Sequence, residues 1–327
     1  MKKTISNLGE FGLIDFIKKH NTKALKYHNV YLDIGDDCFC FNSYNNSKYV
    51  VTTHILIENV HFKKEWSTPE QIGKKSIEVN VSDIASMGKT KPLYAFVSLG
   101  IPRDTSINFI KKLFSSIKKT CAKYGIHLSG GDTVGAKDIT ISITLIGICY
   151  DKPISRDTAK YGDLIFVTGT FGDSLAGLEI LSTGKKNLKS FEKNLVKKHL
   201  EPQAKLEIAN LISKNIKITS MTDCSDGLFK SIELLTKNKG ANIDLQNIPL
   251  SRSLIKYKNN NINSLYNYAL FGGEEFELVF TINKKDKDRL EKLVSCVKCI
   301  GTITKNKVIF LENGKEKKFQ YKGYKHF

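Results

Sequence analysis

Carboxylates beside glycines recur along the whole chain, and they are the side chains with the clearest chemical potential. Mg²⁺ prefers hard oxygen ligands and commonly combines one or two carboxylates with the phosphates of a substrate. A neighbouring glycine lets backbone or nucleotide approach such a carboxylate closely. The pattern therefore indicates a shared magnesium site built from Asp36 and Asp37 after Gly35, Asp83, Asp132 after Gly130-Gly131, Asp223 and Asp226 before Gly227, and Glu274 and Glu275 after Gly272-Gly273.

Each of these residues also has an ordinary structural interpretation. A single Gly-Asp pair is typical of a turn, and Ser225-Asp226-Gly227 would suit the cap of the helix that follows it. Asp83 could belong to a solvated helix face, although it would project together with Asn80, one turn away. The spacing of the residues alone leaves both interpretations open.

The phosphate-binding motifs of the usual nucleotide enzymes are absent from the sequence. Gly88-Lys89-Thr90 resembles the end of a GxxxxGK[ST] loop, but Asp83 occupies the position of its first glycine. No GxGxxG opens a helix after a strand, and neither HExxH nor GxSxG occurs. These absences argue against a nucleotide enzyme of the usual motif classes.

Strands and amphipathic helices alternate in the first half of the chain, and they must position the carboxylates. β-Branched and apolar runs predict strands at residues 49–53, 93–99 and 139–150. A helix is expected to begin at Thr68-Pro69, with Gln71 as the capping-box partner, and to run toward Gly88. A second helix is expected over about residues 104–124.

A polar stretch over residues 151–162 looks like a domain junction. We therefore expect an N-terminal domain over residues 1–150 and a C-terminal domain over residues 151–327. A length of 327 residues fits two domains, and the alternating elements predict an α/β fold. The expected elements of the second domain are strands at 164–168, 277–282 and 308–311, helices near 174–181, 203–213 and 227–236, and a hairpin turn at Asn313-Gly314.

The net charge of +18 invites a nucleic-acid-binding interpretation. However, the basic residues are mostly dispersed lysines, and only four are arginine: Arg103, Arg156, Arg252 and Arg289. Base-reading proteins rely on arginine, because its planar fork matches the edge of guanine. We therefore expect no dedicated nucleic-acid binding, although the charge can steer anionic substrates toward the protein.

Neither a signal peptide nor an apolar run of about 20 residues is present, so we expect a cytoplasmic protein that does not enter a membrane. The seven cysteines are an odd number, which argues against a disulfide framework. Cys296 and Cys299 form a lone CxxC, and a structural zinc site would need a second pair of ligands.

The motifs, in their order along the chain, resemble those of the thiamine-monophosphate kinases, relatives of aminoimidazole ribonucleotide synthetase and selenophosphate synthetase. The similarity runs nearly from end to end, and the order and spacing of the motifs make it specific. They are Gly9-Glu10-Phe11, Gly35-Asp36-Asp37-Cys38, Asn59-Val60-His61-Phe62, residues 79–88 (VNVSDIASMG), Gly130-Gly131-Asp132-Thr133, residues 167–174 (VTGTFGDS), residues 223–228 (DCSDGL), residues 272–278 (GGEEFEL) and residues 322–327 (KGYKHF).

The resemblance implies a fold and a reaction. The fold is a two-domain arrangement like that of aminoimidazole ribonucleotide synthetase, with N-terminal domains pairing into a homodimer, ATP near that interface, and a C-terminal α/β sandwich. In the reaction, ATP donates its γ-phosphoryl group to thiamine monophosphate, giving thiamine diphosphate. No catalytic acid or base is implied, because a phosphate monoester with a second pKa of ~6 is already ionised.

The resemblance also assigns residues by position. It implies a site for several Mg²⁺ ions formed by Asp37, Thr52, Thr53, Asp83, Asp132, Asp223 and Asp226. It implies ATP contacts at Gly131, Asp132, Arg156 and Ser225, and substrate contacts at His61, Glu274 and Tyr321. Arg156 could instead be a surface charge, and His61 an ordinary packed histidine. Tyr321 stands where the family more often has tryptophan.

Three other functions stay open on the sequence alone. One is a different ATP-dependent enzyme of the superfamily, although the first cysteine, Cys38, lies inside the metal motif and the chain ends in Lys325-His326-Phe327. The second is a basic nucleic-acid-binding protein. The third is a degenerate family member that binds thiamine phosphates without transferring phosphate, and His54 is its only support.

His54 interrupts the implied metal site. The strand reads Thr52-Thr53-His54-Ile55, whereas the family carries Ser-Thr-Asp-Thr there, with an aspartate that binds metal. Imidazole suits Zn²⁺ or Cu²⁺ better than Mg²⁺. Our hypothesis is that His54 weakens magnesium binding without abolishing activity, since the other carboxylates remain.

The variant His54→Asp tests this hypothesis. It should reach half-maximal turnover at a lower Mg²⁺ concentration than the wild type, because it restores a hard oxygen ligand. The measurement is turnover as a function of Mg²⁺ concentration for both proteins. Identical curves would contradict the hypothesis.

Overall fold

The computed structural model describes residues 5–21, 29–43 and 45–320. These residues form two β-sheets with helices packed against them, which confirms the predicted two-domain α/β fold class. The boundary between residues 150 and 151 stays a prediction; it lies between a strand ending at Cys149 and one beginning at Leu164. No helix in the described part of the chain has the length and apolarity that a membrane crossing requires.

The N-terminal sheet has six strands in the order β1-β2-β3-β6-β4-β5. Neighbours are antiparallel except β4 and β5, which run parallel. The strands are β1 (Val30–Leu32), β2 (Phe39–Asn42), β3 (Lys48–Ile57), β4 (Thr90–Ile101), β5 (His127–Gly135) and β6 (Thr140–Cys149), and the helices of this half are α1 (Ile5–Asn21), α2 (Pro69–Ser86) and α3 (Ile107–Tyr124).

The C-terminal sheet has seven strands in the order β13-β12-β9-β11-β7-β10-β8. Only β9 and β12 are parallel neighbours. The strands are β7 (Leu164–Thr168), β8 (Ile218–Asp223), β9 (Gly240–Asp244), β10 (Leu278–Ile282), β11 (Val297–Thr304), β12 (Val308–Glu312) and β13 (Lys315–Lys317). The helices are α4 (Asp173–Ser182), α5 (Ser190–Leu200), α6 (Leu206–Asn215), α7 (Leu228–Thr236), α8 (Arg252–Tyr257), α9 (Ile262–Phe271) and α10 (Lys287–Leu293), with 3₁₀ turns at Leu245–Asn247 and Lys284–Asp286.

Helix α2 begins where the sequence predicts, because Thr68 and Gln71 form the expected capping box. The Gln71 N–H donates to Thr68 Oγ1 at 3.2 Å, and the Thr68 N–H donates to Gln71 Oε1 at 3.0 Å. The helix lies between the N-terminal sheet and the elements α6 and β8 of the other domain. Asp83 is therefore buried rather than on a solvated face.

One hydrophobic core crosses the contact between the two domains. It contains Ile84 of α2, Ile143 of β6, and Phe166 and Phe280 of the C-terminal sheet, whose rings stack with centroids 5.9 Å apart. The burial of apolar surface is the main favourable contribution to the association of two domains. The two domains can therefore share one site at their contact.

Several C-terminal elements, among them α5, β8, β9 and β11, have no counterpart in the sequence-based prediction. Strand β8 shows why, since its sequence ITSMTD carries only two apolar side chains. Its buried hydroxyls are satisfied instead, because Ser220 donates to the Ser155 carbonyl at 3.1 Å and Thr222 donates to Asp37 at 3.0 Å. Hydrogen bonding of this kind replaces the hydrophobic pattern on which strand prediction relies.

Two local predictions have clear outcomes. The second helix was expected from residue 104, but α3 begins at Ile107, because Ser106 accepts the Phe109 N–H and caps the helix. The hairpin turn at Asn313-Gly314 is confirmed, since it joins antiparallel β12 and β13. Both turn residues have positive φ, as this turn type requires.

The substitution Gly73→Ala tests whether α2 and α3 need to pack closely at this position. A Cβ at this position would lie 2.5 Å from the Leu113 carbonyl oxygen and 3.1 Å from Ser116 Cβ. Gly73→Ala should therefore lower the free energy of unfolding by about 1–3 kcal/mol, although alanine favours a helix by about 1 kcal/mol. Denaturant unfolding measures the change.

Gly135→Ala is the control for this substitution, because a Cβ there meets no other atom within 4 Å. It should change the free energy of unfolding by less than about 0.5 kcal/mol. Equal stability of Gly73→Ala and the wild type would show that the two helices can move apart without cost.

Candidate active site

Three buried carboxylates meet where the two domains touch. Asp37 follows β1, Asp83 lies on α2 and Asp223 ends β8; the side chain of Asp37 is 5 % exposed, and Asp83 and Asp223 as whole residues are 8 % and 5 % exposed. Ser82 connects the domains here, because its hydroxyl donates to Asp223 Oδ2 at 2.6 Å. Thr52 Oγ1 donates to Asp83 Oδ2.

Burial and neighbouring charges disfavour the ionisation of Asp37 and Asp223. Burial raises the pKa of Asp37 to about 7, with further contributions from Asp36 and Asp83, although the Arg156 guanidinium opposes the rise. Burial also raises the pKa of Asp223 above its ordinary value, and the charges of Asp83 and Asp37 add to this effect. A group of this kind gains stability when a cation joins it.

Two side-chain cations already contact the carboxylates. Arg156 Nη1 lies 3.2 Å from Asp37 Oδ1, and its side chain is 17 % exposed, so Arg156 is not a free surface charge. His54 Nε2 lies 2.9 Å from Asp83 Oδ2. Burial alone would lower the pKa of His54, but Asp83, Asp223 and Asp226 raise it to about 9. His54 therefore places a positive charge among these carboxylates.

One oxygen of the cluster is left for a further cation. Asp37 Oδ2 is buried and has no hydrogen-bond partner, which is costly unless a ligand completes its coordination. No group of three or more His, Cys, Asp or Glu side chains is already arranged for a metal ion in the described part of the chain. Mg²⁺ does not need such a group, since phosphate oxygens and water fill much of its octahedral shell. The donor set fits Mg²⁺ bound together with a phosphate.

The structure separates Thr52 from Thr53. The two are adjacent on β3, so their side chains point to opposite faces of the sheet. Thr52 faces Asp83, whereas the Thr53 hydroxyl donates to the Ile143 carbonyl at 3.2 Å and is exposed. Thr53 is thus not brought together with the three buried carboxylates.

Gly131 and Asp132 lie on the edge strand of the N-terminal sheet, away from the three carboxylates. They belong to β5, which is separated from β3 by β6 and β4, or by roughly 14 Å of strand spacings. Asp132 is exposed and pairs in register with Ser98 on the outward side of β4. Only glycine fits at 131, because a Cβ would lie 1.7 Å from the Val97 carbonyl oxygen.

Asp226 and Ser225 follow β8 directly, in a segment tied to the glutamates of residues 272–277. The Glu274 N–H donates to the Ser225 carbonyl at 2.6 Å, and the Phe276 N–H donates to the Cys224 carbonyl at 2.9 Å. The charge of Asp226 contributes to the raised pKa of His54. These backbone bonds place Glu274 beside the carboxylate cluster.

Glu274 lies in a second group of ionisable residues, and no sequence motif identifies its neighbours Lys75 and His199. Lys75 Nζ lies 2.7 Å from Glu274 Oε1, and His199 Nδ1 lies 3.3 Å from Oε2. The His61 carbonyl lies 3.4 Å from Lys75 Nζ, which brings His61 to the same place. Lys75, Val79 and Ser82 are spaced so that they lie on one face of α2. This spacing is the one local signal that could connect Lys75 with the carboxylates, because Ser82 contacts Asp223. Tyr321 lies outside the described residues.

Known proteins match this chain over both domains. The family model described as AIR synthase related protein, N-terminal domain, matches residues 35–149, and the model for the C-terminal domain of the same family matches residues 160–312. These ranges contain every site residue named above except Arg156 and Tyr321.

Full-length relatives are also similar. The chain is 35% identical over 325 residues to the thiamine-monophosphate kinase of Aquifex aeolicus (strain VF5), covering 99% of both chains. It is 31% identical over 333 residues to that of Bacillus subtilis (strain 168), covering 98% of this chain and 100% of the relative.

A solved structure agrees with these matches. The structure of AaThiL complexed with AMPPCP and TMP superimposes with a TM-score of 0.88 at 34% identity, covering 100% of both chains. Since both domain models match and full-length relatives exceed 30% identity, the chain belongs to the thiamine-monophosphate kinase family of AIR synthase related proteins.

Proposed function

We propose that this protein is a thiamine-monophosphate kinase that transfers the γ-phosphoryl group of ATP to thiamine monophosphate, giving thiamine diphosphate and ADP. The observation that carries the proposal is the buried group of Asp37, Asp83 and Asp223, with one carboxylate oxygen unsatisfied and Arg156 beside it. The relatives' names and the ligands of the solved structure support it. We place the reaction in the cytoplasm, where ATP is available.

The residues that would hold Mg²⁺ are Asp37, Thr52, Asp83 and Asp223, together with Asp226. Bound Mg²⁺ supplies positive charge that offsets the repulsion between two phosphate groups and stabilises the charge of the transferring phosphoryl group. The chain contributes rigid positioning, because Ser82 and Thr222 hold Asp223 and Asp37 by hydrogen bonds of 2.6 and 3.0 Å.

Arg156 would bind a phosphate group of ATP. Its planar guanidinium can form two parallel hydrogen bonds to phosphate oxygens, and its contact with Asp37 holds it beside the carboxylates. No residue needs to remove a proton from the acceptor, whose phosphate has a second pKa of ~6. Orientation and charge stabilisation are therefore the main tasks of the site.

Glu274 would contact the cationic ring of thiamine monophosphate. Burial opposes its ionisation, but the charge of Lys75 outweighs burial and lowers the pKa of Glu274. The carboxylate is 29 % exposed, which leaves one side open to a ligand. His61 is held beside it with a defined tautomer, since the Ile57 N–H donates to His61 Nδ1 at 3.0 Å.

The open face of the N-terminal sheet would pair two copies into a homodimer. Ile55, Tyr94 and Phe96 are 47 %, 46 % and 39 % exposed there, and an apolar patch of this kind is typical of a protein–protein contact. Thr53 and Asp132 lie on the same face, and dimerisation would enclose them. Thr53, Gly131 and Asp132, which the resemblance assigns to metal and ATP, would then lie at the dimer interface.

Incubation with ATP, Mg²⁺ and thiamine monophosphate tests the proposal. The wild type should form thiamine diphosphate, whereas Asp83→Asn should lose activity by at least about 100-fold, because the variant removes one buried charge that must bind the cation. Asp104→Asn, an exposed position, is the matched control and should keep activity within about twofold of the wild type.

Circular dichroism should show the same fold for all three proteins. Absence of thiamine diphosphate with the folded wild type would defeat the proposed function. Activity of Asp83→Asn within a few-fold of the wild type would remove Asp83 from the metal site.

A further inference from the structure

Lys75 is a lysine in an unusual place. It lies on α2 with only 4 % of its side chain exposed, although lysine is almost never buried without a partner. The partner is Glu274 of the other domain, with 2.7 Å between Lys75 Nζ and Glu274 Oε1. The Lys75 ammonium group also donates a hydrogen bond to the His61 carbonyl, at 3.4 Å.

Glu274 is held rigidly opposite this ammonium group. Its backbone adopts a φ of +60°, and that of Phe276 a φ of +51°, conformations that are unfavourable for a residue other than glycine. The hydrogen bonds from the Glu274 and Phe276 N–H groups to the Ser225 and Cys224 carbonyls maintain them. Strain that is kept in this way is typical of a functional position.

His199 adds no positive charge beside Glu274 at neutral pH. Burial lowers the pKa of His199 to about 4, and the charge of Lys75 contributes to the same effect. Ser174 Oγ lies 3.0 Å from the same His199 nitrogen that approaches Glu274. His61 accepts the Ile57 N–H through Nδ1, so that nitrogen carries no proton. Lys75 is therefore the lysine that balances the charge of Glu274.

Helix α2 connects this ion pair with the carboxylate cluster. Lys75 and Ser82 are seven positions apart and lie on the same stripe of the helix, about 10 Å along its axis. Ser82 donates to Asp223. A ligand with a cationic ring at Glu274 and a phosphate directed toward the cluster would thus extend along α2, past Lys75.

We infer that Lys75 determines substrate specificity: paired with Glu274, it makes the pocket select a cation that carries its own phosphate over the same cation without one. The inference rests on the proposed function and deepens it. Glu274 alone would attract any cation and would repel the acceptor phosphate. Lys75 cancels that repulsion, so Glu274 can face the cationic ring without opposing the phosphate that extends toward the carboxylate cluster.

Lys75→Met tests the inference, because methionine has a similar length but no charge. The dissociation constants of thiamine and thiamine monophosphate are measured by calorimetry at about pH 8, where an ordinary glutamate is ionised. We expect Lys75→Met to bind thiamine at least as tightly as the wild type, and thiamine monophosphate about tenfold more weakly. Lys75→Arg should keep the preference of the wild type.

If Lys75 had only a structural role, Lys75→Met would bind both ligands more weakly by the same factor. That result, or any other unchanged ratio of the two dissociation constants, would overturn the inference. Glu274→Gln should weaken both ligands, because it removes the partner of the cationic ring. If Lys75→Met does not fold, Lys75→Gln takes its place with the same expected change in ratio.

These binding measurements do not depend on turnover. A wild type that binds thiamine monophosphate in preference to thiamine, but forms no diphosphate, would defeat the proposed function and leave the role of Lys75 supported. A wild type that forms diphosphate, with a Lys75→Met variant of unchanged selectivity, would defeat the role of Lys75 alone.

Discussion

Asp37, Asp83 and Asp223 are held close together: burial raises the pKa values of Asp37 and Asp223, and the charge of nearby Asp83 raises both further. Burying like charges is unfavourable unless cations or hydrogen bonds compensate. Arg156, His54, Thr52 and Ser82 provide part of that compensation. The unsatisfied Asp37 Oδ2 shows that it is incomplete. The fold therefore forms a site at which the binding of a further cation, together with phosphate groups, is favourable.

Helix α2 makes this arrangement possible, because it contacts both domains along its length. Its capping box sets where it begins, and Gly73 lets α3 approach closely. The same helix then directs Lys75 to Glu274 and presents Asp83 and Ser82 to the carboxylate cluster. Binding of the substrate ring and binding of its phosphate are thus organised by one rigid element.

Much of this site could be predicted from the sequence, because its carboxylates stand in short motifs with local signals. The approach of Asp83 to Asp223 could not be derived from periodicity, since it depends on how two domains pack, and it came only with the family resemblance. The opposite orientation of Thr52 and Thr53 follows from strand alternation alone. The Lys75–Glu274 pair is marked only weakly, by the helical stripe that Lys75 shares with Val79 and Ser82, because a lysine on a helix ordinarily indicates a solvated face. Strands such as β8 were missed because hydrogen bonds, rather than apolar side chains, account for much of their burial.

The stability of Asp223→Asn without and with Mg²⁺ and an ATP analogue tests most directly whether the buried carboxylates are held together for a cation. We predict that, without Mg²⁺, the neutral variant unfolds at a higher denaturant concentration than the wild type, because one buried charge is removed while the amide oxygen still accepts the Ser82 hydroxyl. The addition of Mg²⁺ and the analogue should stabilise the wild type more than the variant. A variant that is less stable than the wild type without Mg²⁺, and equally stabilised by its addition, would contradict this account.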